Sequence, residues 1–268
     1  MSITDHALAI EAAEAGAAVV RSQYGSSLTR FMKTAGDFAT TADVEAERAI
    51  LGVLRAERPH DVVLAEESGR TGTGGNGRTW LVDPLCGTLN YAVGNMLTSV
   101  NVALRSGADG TVAASADPFT DEVFWTDGIA AFVRHGGIDE RLTPSAESSL
   151  VDVNLDPPFP NKHVFLAARM LADDGFVEQF RPRVVSTTLA VAWVAAGRRA
   201  AYVTDGHHLR DSVHFAAGIA LCQAAGCVVT GIDGQPIHAG GNGLLVAADE
   251  RTHAALLTLI QNQRPRRD

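Results

Sequence analysis

The sequence has few cysteines, few aromatic residues and fewer basic than acidic side chains. Its 268 residues include three cysteines, too few for a disulfide framework, so a reducing cytoplasmic environment is expected. With 22 Lys and Arg against 31 Asp and Glu, the net charge is −9. This acidic balance argues against nucleic-acid binding, which usually needs a basic surface. Phosphorylated substrates are not excluded, because a divalent cation can supply the missing positive charge.

Long apolar runs are also missing. The chain has no stretch of about 18 apolar residues, so no membrane-spanning segment is expected. Asp5, Glu11 and Glu14 interrupt the apolar N-terminal stretch, which argues against a signal peptide. Hydrophobic residues make up 46% of the chain and charged residues 20%, a composition typical of a globular protein with a sizeable core.

The spacing of apolar residues predicts a mixture of helices and strands, hence an α/β fold. Helices are predicted at 3–22, 43–57, 162–173, 188–196, 211–225 and 249–262. Strands are predicted at 62–64, 80–82, 98–105, 111–116, 121–126, 200–203 and 244–246. The stretch 70–79 is rich in Gly and Thr, and this composition predicts a mobile loop. Asp211 or Ser212 is expected to begin the helix that ends at Gly226.

A polar stretch near the middle of the chain predicts a division into two lobes. It covers 138–149 and follows the pair Gly136-Gly137. We place the boundary so that an N-terminal α+β lobe, 1–145, carries most candidate ligands. A C-terminal α/β lobe, 146–268, is expected to complete the site.

Acidic residues stand at the ends of predicted elements. Asp43 begins a helix, Glu66-Glu67 follows one strand, and Asp83 follows another. After Asp83 the sequence Pro-Leu-Cys-Gly-Thr leads into a helix, whose free backbone N–H groups can hold a phosphate. Carboxylates beside a phosphate repel it unless a divalent cation lies between them. The pattern therefore predicts metal-assisted phosphoryl chemistry.

Four segments, in the right order, resemble those of the inositol monophosphatase family. The segment 80–91 resembles the signature Trp-x-x-Asp-Pro-x-Asp-Gly-Thr-x-Asn-Phe. Segment 37–43 is similar to the family's Thr-x-x-Asp segment, 65–69 to its Gly-Glu-Glu-Ser segment, and 216–226 to its C-terminal signature. The resemblance implies layers in the order α-β-α-β-α and metal-dependent hydrolysis of a phosphate monoester.

The resemblance also implies a role for each matching residue. Glu66, Asp83 and the backbone carbonyl of Leu85 would hold a first divalent metal, Mg²⁺ in the family. Asp43 and Thr88 would orient or deprotonate the attacking water, and Glu67, the third residue of the implied catalytic set, would support the metal ligands from behind. The implied phosphate and substrate contacts are Gly87, Thr88, Asn90 and Ser186.

Two positions depart from the family pattern. Cys86 and His214 stand where the family has aspartates that bind a second metal. Mg²⁺ prefers oxygen ligands, whereas Cys86, His214 and Asp83 together suit Zn²⁺ or another transition metal such as Mn²⁺. A helix N-terminus is expected to lower the pKa of the Cys86 thiol and to keep His214 neutral, with Asp211 as its hydrogen-bond partner.

These departures leave three functions open. The first is a hydrolase of a small phosphorylated metabolite, such as a sugar, cyclitol or nucleotide ester, with an altered second metal site. The second is an inactive relative that binds a phosphorylated ligand or a protein partner. The third is a different reaction that uses Cys86 as nucleophile and His214 as acid–base group. The retained Asp43 and Thr88 favour the first, and a homodimer is the family's usual assembly.

Overall fold

A computed structural model of the chain describes residues 3–34, 37–74, 77–107, 111–155, 166–206, 209–237 and 242–263. The first half contains α1 (Asp5–Gln23), β1 (Arg30–Thr34), β2 (Asp37–Thr40), α2 (Thr41–Glu57), β3 (Val62–Ala65), β4 (Gly69–Thr71), β5 (Arg78–Cys86), α3 (Thr88–Ala92), β6 (Ser99–Ser106), β7 (Val112–Ala116), β8 (Glu122–Thr126), β9 (Ala131–His135) and β10 (Ile138–Arg141). The second half contains β11 (Leu150–Asn154), α4 (Leu166–Met170), α5 (Asp174–Gln179), β12 (Arg181–Val184), α6 (Leu189–Ala195), β13 (Ala201–Thr204), a 3₁₀ turn (Leu209–Asp211), α7 (Ala216–Ala225), β14 (Val228–Thr230), β15 (Leu244–Ala247) and α8 (Glu250–Asn262).

Two large sheets alternate with three layers of helices. The first sheet has the order β10-β9-β8-β7-β6-β5-β3-β4 and is antiparallel except for the β3–β5 pair. The second has the order β12-β11-β13-β15-β14. Helices α1 and α2 cover one face of the first sheet, α6 and α7 fill the space between the sheets, and α4, α5 and α8 cover the second sheet. The α-β-α-β-α prediction is therefore confirmed.

Small residues bring α7 close to the first sheet. Its alanines at 216, 217 and 220 pack with Leu81, Ala103 and Ala113 of the sheet in one buried cluster. Because side chains without bulk allow a short distance between helix and sheet, the residues just before α7 reach the end of β5. This packing positions His214 beside Asp83.

The start of α7 differs from the prediction. The helix begins at Ala216, and neither Asp211 nor Ser212 caps it, since the N-cap residue is Phe215. Asp211 ends the 3₁₀ turn and forms an ion pair with Arg105 instead. The stop is as expected, because Gly226 takes the left-handed conformation with φ of +91°.

Other boundaries also differ. The stretch 70–79, expected to be a loop, includes part of β4 and the start of β5, while 75–76 lie outside the described residues. Residues 162–165 of the expected helix 162–173 also lie outside them. The polar stretch 138–149 contains β10, which joins the first sheet. The division into lobes at 145 stays a prediction. Among the described residues, no helix has the length and hydropathy needed to cross a membrane.

Candidate active site

A β-bulge at the end of β5 forms the centre of the site. Asp83 is fully buried, and the pairing of β5 with β6 shifts register between Asp83 and Cys86. In a regular strand these two side chains, three residues apart, would point to opposite faces. A bulge re-aims side chains, and here the carboxylate and the thiol lie on the same side.

Asp83, Cys86 and His214 form what we call the mixed cluster. One candidate ligand atom from each lies within 4.8 Å of those of the other two. His214 Nδ1 is 2.8 Å from Asp83 Oδ2 and 3.8 Å from Glu66 Oε2. The mixed cluster thus combines a carboxylate and a thiol from β5 with an imidazole from the turn before α7.

His214 is more basic than the sequence suggests. Burial lowers its pKa, but the carboxylates of Asp83 and Glu66 outweigh that effect and raise the pKa to about 9. The expected helix dipole effect was wrong, because His214 lies in a turn before α7 rather than in its first turn. The expected bond from Asp211 was also wrong, since Asp211 pairs with Arg105.

Cys86 accepts two hydrogen bonds from one residue. Thr188 Oγ1 lies 3.0 Å from Cys86 Sγ, and the Thr188 backbone N–H donates to the same sulfur at 3.4 Å. Burial, followed by the negative charge of Asp83, nevertheless raises the thiol pKa well above its usual range. The expectation of a lowered pKa was therefore wrong. A thiolate here needs a cation beside it.

The acid pair after β3 forms the carboxylate cluster, together with a lysine that sequence reasoning missed. Lys33 Nζ on β1 is 2.7 Å from Glu66 Oε1 and 2.7 Å from Glu67 Oε1. Burial and then the charge of Asp83 raise the pKa of Glu66 to about 8, against the opposing effects of His214 and Lys33. The three acids at 66, 67 and 83 are thus held close together, with protein cations between them.

Glu47 is a second residue that sequence reasoning missed. It is buried, and its carboxylate accepts hydrogen bonds from the backbone N–H groups of Glu67 at 2.7 Å and Ser68 at 2.9 Å. These bonds fix the turn that presents Glu66. The signal was available, because Asp43 and Glu47 are four residues apart on one face of α2.

Asp43 and Thr88 form a hydroxyl–carboxylate pair, in which Asp43 is fully buried and Thr88 is partly buried. Thr88 Oγ1 donates to Asp43 Oδ1 at 2.8 Å and lies 3.1 Å from the carbonyl oxygen of Leu85. Asp43 Oδ2 accepts from Thr40 N at 2.7 Å and Thr40 Oγ1 at 2.5 Å, which completes a capping box at the start of α2. Burial raises the pKa of Asp43 although these hydrogen bonds oppose the shift.

Gly87 and Asn90 shape the turn that follows the bulge. Gly87 has φ of +94°, and a Cβ there would lie 2.8 Å from the Leu97 oxygen and 3.1 Å from the Ser186 oxygen. Asn90 Nδ2 donates to the same two carbonyls, at 2.9 Å and 2.7 Å. Both amide hydrogens of Asn90 are thus engaged, which favours a structural role over the expected phosphate contact. Ser186 meets this turn through its backbone carbonyl.

The donor atoms fit two kinds of divalent ion. The carboxylates of Glu66 and Asp83 with the Leu85 carbonyl are all-oxygen ligands, which suit Mg²⁺. The mixed cluster offers sulfur, nitrogen and oxygen, which suit Zn²⁺ or a similar transition metal. The raised pKa of Glu66 shows that these buried acids lack full compensation from the protein's own cations. The residues present therefore fit a bound cation.

Comparison with known proteins gives a consistent result over nearly the whole chain. A model described as the inositol monophosphatase family matches residues 4–264. An inositol-1-monophosphatase from Caulobacter vibrioides is 31% identical over 260 residues, which are 94% of this chain and 99% of that protein. A Nus factor SuhB from Pasteurella multocida is 31% identical over 261 residues, 95% of this chain and 94% of that protein.

Solved structures agree with the fold. The extragenic suppressor protein suhB from Bartonella henselae superposes with a TM-score of 0.81 at 26% identity, covering 95% of this chain and 97% of that one. The inositol monophosphatase from Anabaena superposes with a TM-score of 0.73 at 27% identity, covering 97% and 96%. This family is metal-dependent and acts on small phosphorylated substrates. The chain therefore belongs to the inositol monophosphatase family.

Proposed function

We propose that this protein hydrolyses a phosphate monoester of a small metabolite, with a divalent cation and an altered second metal site. The observation that carries the proposal is the Asp43–Thr88 pair, in which Thr88 Oγ1 lies 2.8 Å from the fully buried carboxylate of Asp43. A protein that only binds a ligand has little use for such a pair. A sugar, cyclitol or nucleotide ester is the class of substrate that we expect.

The pair can take a proton from an attacking water. Thr88 donates its single hydroxyl hydrogen to Asp43 Oδ1, the nearer of the two acceptors within reach, so its oxygen lone pairs can accept a hydrogen bond from water. As water attacks phosphorus, its proton passes to the Thr88 oxygen while the Thr88 hydrogen passes to Asp43. Because burial raises the pKa of Asp43, the carboxylate is a stronger base than an exposed aspartate.

The remaining residues hold the cations and the phosphate. Glu66, Asp83 and the Leu85 carbonyl would hold Mg²⁺, and the mixed cluster would hold Zn²⁺ or Mn²⁺. A divalent cation bound there supplies positive charge to the phosphate oxygens. The backbone N–H groups of Gly87 and Thr88 would contact the phosphate. A homodimer and a cytoplasmic location complete the proposal, supported by the family relationship.

The experiment is phosphate release from a panel of metabolite monoesters by metal-stripped protein, repeated with Mg²⁺, Mn²⁺ and Zn²⁺. Release with at least one ion supports the proposal. Asp83→Asn should lower the rate more than about 10³-fold with every ion, because Asp83 serves both clusters and a metal contributes several kcal/mol. Asp211→Asn is the matched control and should keep the rate.

A second function has support from the charges of the site. Lys33 already pairs with Glu66 and Glu67, and His214 pairs with Asp83, so much of the acidic charge has a protein cation beside it. This arrangement favours a protein that binds a phosphorylated ligand without hydrolysing it. Silence of folded protein across the whole panel, with binding of inorganic phosphate retained, would select this function. The raised thiol pKa of Cys86 argues against the third function, nucleophilic catalysis.

A further inference from the structure

A chain of buried polar side chains leads from the first sheet to the sulfur of Cys86. Ser115 on β7 contacts Asn101 on β6, with Ser115 Oγ 2.8 Å from Asn101 Oδ1. Asn101 Nδ2 is 2.9 Å from Thr188 Oγ1, which in turn is 3.0 Å from Cys86 Sγ. Each of the four is less than 9% exposed. These four residues form one continuous hydrogen-bonded chain.

The direction of the hydrogen bonds follows from the atoms involved. Asn101 Oδ1 can only accept, so the Ser115 hydroxyl donates to it. Asn101 Nδ2 can only donate, so the Thr188 oxygen accepts from it. Thr188 Oγ1 also lies 3.4 Å from Ser99 Oγ, and we assign its hydroxyl hydrogen to the closer acceptor, Cys86 Sγ at 3.0 Å, which also receives the Thr188 backbone N–H. Two donors therefore point at one sulfur.

We propose that Thr188 is a positioning residue that holds the sulfur of Cys86 as a thiolate ligand in the mixed cluster. Donors aimed at a sulfur stabilise its negative charge and fix its direction. Thr188 thereby biases the site toward a thiophilic divalent ion.

The inference rests on the proposed metal site and adds the residue that sets its ion preference. A merely structural network between β5, β6, β7 and α6 would predict a different result. Breaking it would lower stability and leave metal affinity and the metal–sulfur bond unchanged. The test therefore needs a readout of the sulfur itself.

The test uses full-length, metal-stripped protein, with Co²⁺ and Zn²⁺ as probes. Co²⁺ bound by a thiolate gives a sulfur-to-cobalt charge-transfer absorption band, and competition with a chelator gives the affinity for each ion. Thr188→Val removes the hydroxyl but keeps the shape. We expect it to weaken Co²⁺ and Zn²⁺ binding about 10- to 100-fold and to shift or weaken the band. Thr188→Ser keeps the hydroxyl, so its Co²⁺ and Zn²⁺ affinities and its absorption band should match those of the unchanged chain. Affinity for Mg²⁺ should change less than about threefold in either variant.

Each outcome separates the inference from the function on which it rests. A band and affinities in Thr188→Val equal to those of the unchanged chain would overturn the role of Thr188 and leave the metal site standing. No band in the unchanged chain, or the same band in Cys86→Ser, would overturn the thiolate ligand. Phosphate release with Mg²⁺ in that case would still support hydrolysis. If Thr188→Val does not fold, Thr188→Ala carries the same expectation.

Discussion

The two clusters of the site balance their negative charge in different ways. In the carboxylate cluster, a lysine on β1 bridges Glu66 and Glu67 and all candidate ligands are oxygens. In the mixed cluster, Asp83 faces an imidazole whose pKa is raised to about 9, and a thiol completes the set. Asp83 lies between the two. The difference teaches that protein cations offset only part of the negative charge of the site, while the donor atoms decide which ion each cluster suits.

Removing the proposed base, Asp43, should have the largest effect after loss of Asp83 itself. Asp43→Asn should lower kcat for phosphate release about 10²–10⁴-fold, because the amide cannot take a proton. KM should change little, because Asp43 is buried behind Thr88. Thr88→Ser is the control and should keep most activity, whereas Thr88→Val should lower kcat about as much as Asp43→Asn does. A kcat of Asp43→Asn near that of the unchanged chain would contradict the assigned base.

Converting the mixed cluster into a second all-oxygen cluster should erase the difference between them. In the double variant Cys86→Asp/His214→Asp, we expect Mg²⁺ to support phosphate release better than in the unchanged chain, and Zn²⁺ affinity to fall at least about tenfold. Initial rates and chelator competition measure the two effects. Cys86→Ser alone should lose Zn²⁺ affinity without gaining activity with Mg²⁺. Unchanged ion preference in the double variant would show that the mixed cluster does not select the ion.

A buried carboxylate outside the site provides a reference for both clusters. Asp152 on β11 is fully buried and accepts a hydrogen bond from Arg199 Nε at 2.8 Å. Burial raises its pKa from 3.8 to about 6, and Arg199 only partly opposes this. Because the folded state holds this proton more tightly than the unfolded state, the contribution of Asp152 to the free energy of unfolding should fall as pH rises from about 4 to 6 and stay constant above.

The matched variant for this reference is Asp152→Asn. The difference in unfolding free energy between the variant and the unchanged chain should grow by about 2 kcal/mol in favour of the variant over that pH interval. Urea unfolding of metal-free protein at a series of pH values measures it, and the subtraction cancels groups that the two chains share. A difference that does not vary with pH would contradict the raised pKa.

The smallest effect is expected for the cation of the carboxylate cluster. Lys33→Met removes the bridge between Glu66 and Glu67, so metal-free protein should lose up to about 1 kcal/mol of unfolding free energy. Saturating Mg²⁺ should recover much of this loss, because the ion replaces the missing positive charge. Arg48→Met, which breaks an exposed ion pair with Glu45, is the control and should show no such recovery. Equal losses with and without Mg²⁺ would separate Lys33 from the ion site.

Local sequence patterns predicted much of the fold and part of the site. The central residues of α2 and β5 were predicted because a helical face and a buried strand have short-range signals. Both elements extend beyond the predicted 43–57 and 80–82, to Thr41–Glu57 and Arg78–Cys86. The hairpins β1–β2 and β9–β10 were missed because each contains one exposed strand, β1 or β10, and because their apolar pattern is weak. The predicted start of α7 at 211 was wrong. An ion pair with Arg105, which is 106 residues away in the sequence, holds Asp211 in a 3₁₀ turn.

Residues that join the site from distant parts of the chain could not be predicted. Lys33 meets Glu67 across 34 positions, and Thr188 meets Cys86 across 102. Neither has a local pattern that indicates its partner, since only the packing of β1 and α6 brings it there. The bulge at Asp83 likewise depends on the pairing of β5 with β6. The pKa values of Cys86 and His214 were predicted in the wrong direction. Burial and the charge of Asp83 raise the pKa of Cys86, whereas the carboxylates of Asp83 and Glu66 raise the pKa of His214 against the effect of burial.

The most direct test of the mixed cluster is anomalous X-ray scattering at the zinc absorption edge, from crystals of metal-stripped protein soaked with Zn²⁺ and inorganic phosphate. The account predicts an anomalous peak bonded to Cys86, His214 and Asp83, with phosphate beside it and near Thr88. A peak confined to Glu66, Asp83 and the Leu85 carbonyl, or no peak in protein that hydrolyses phosphate esters with Zn²⁺, would contradict it.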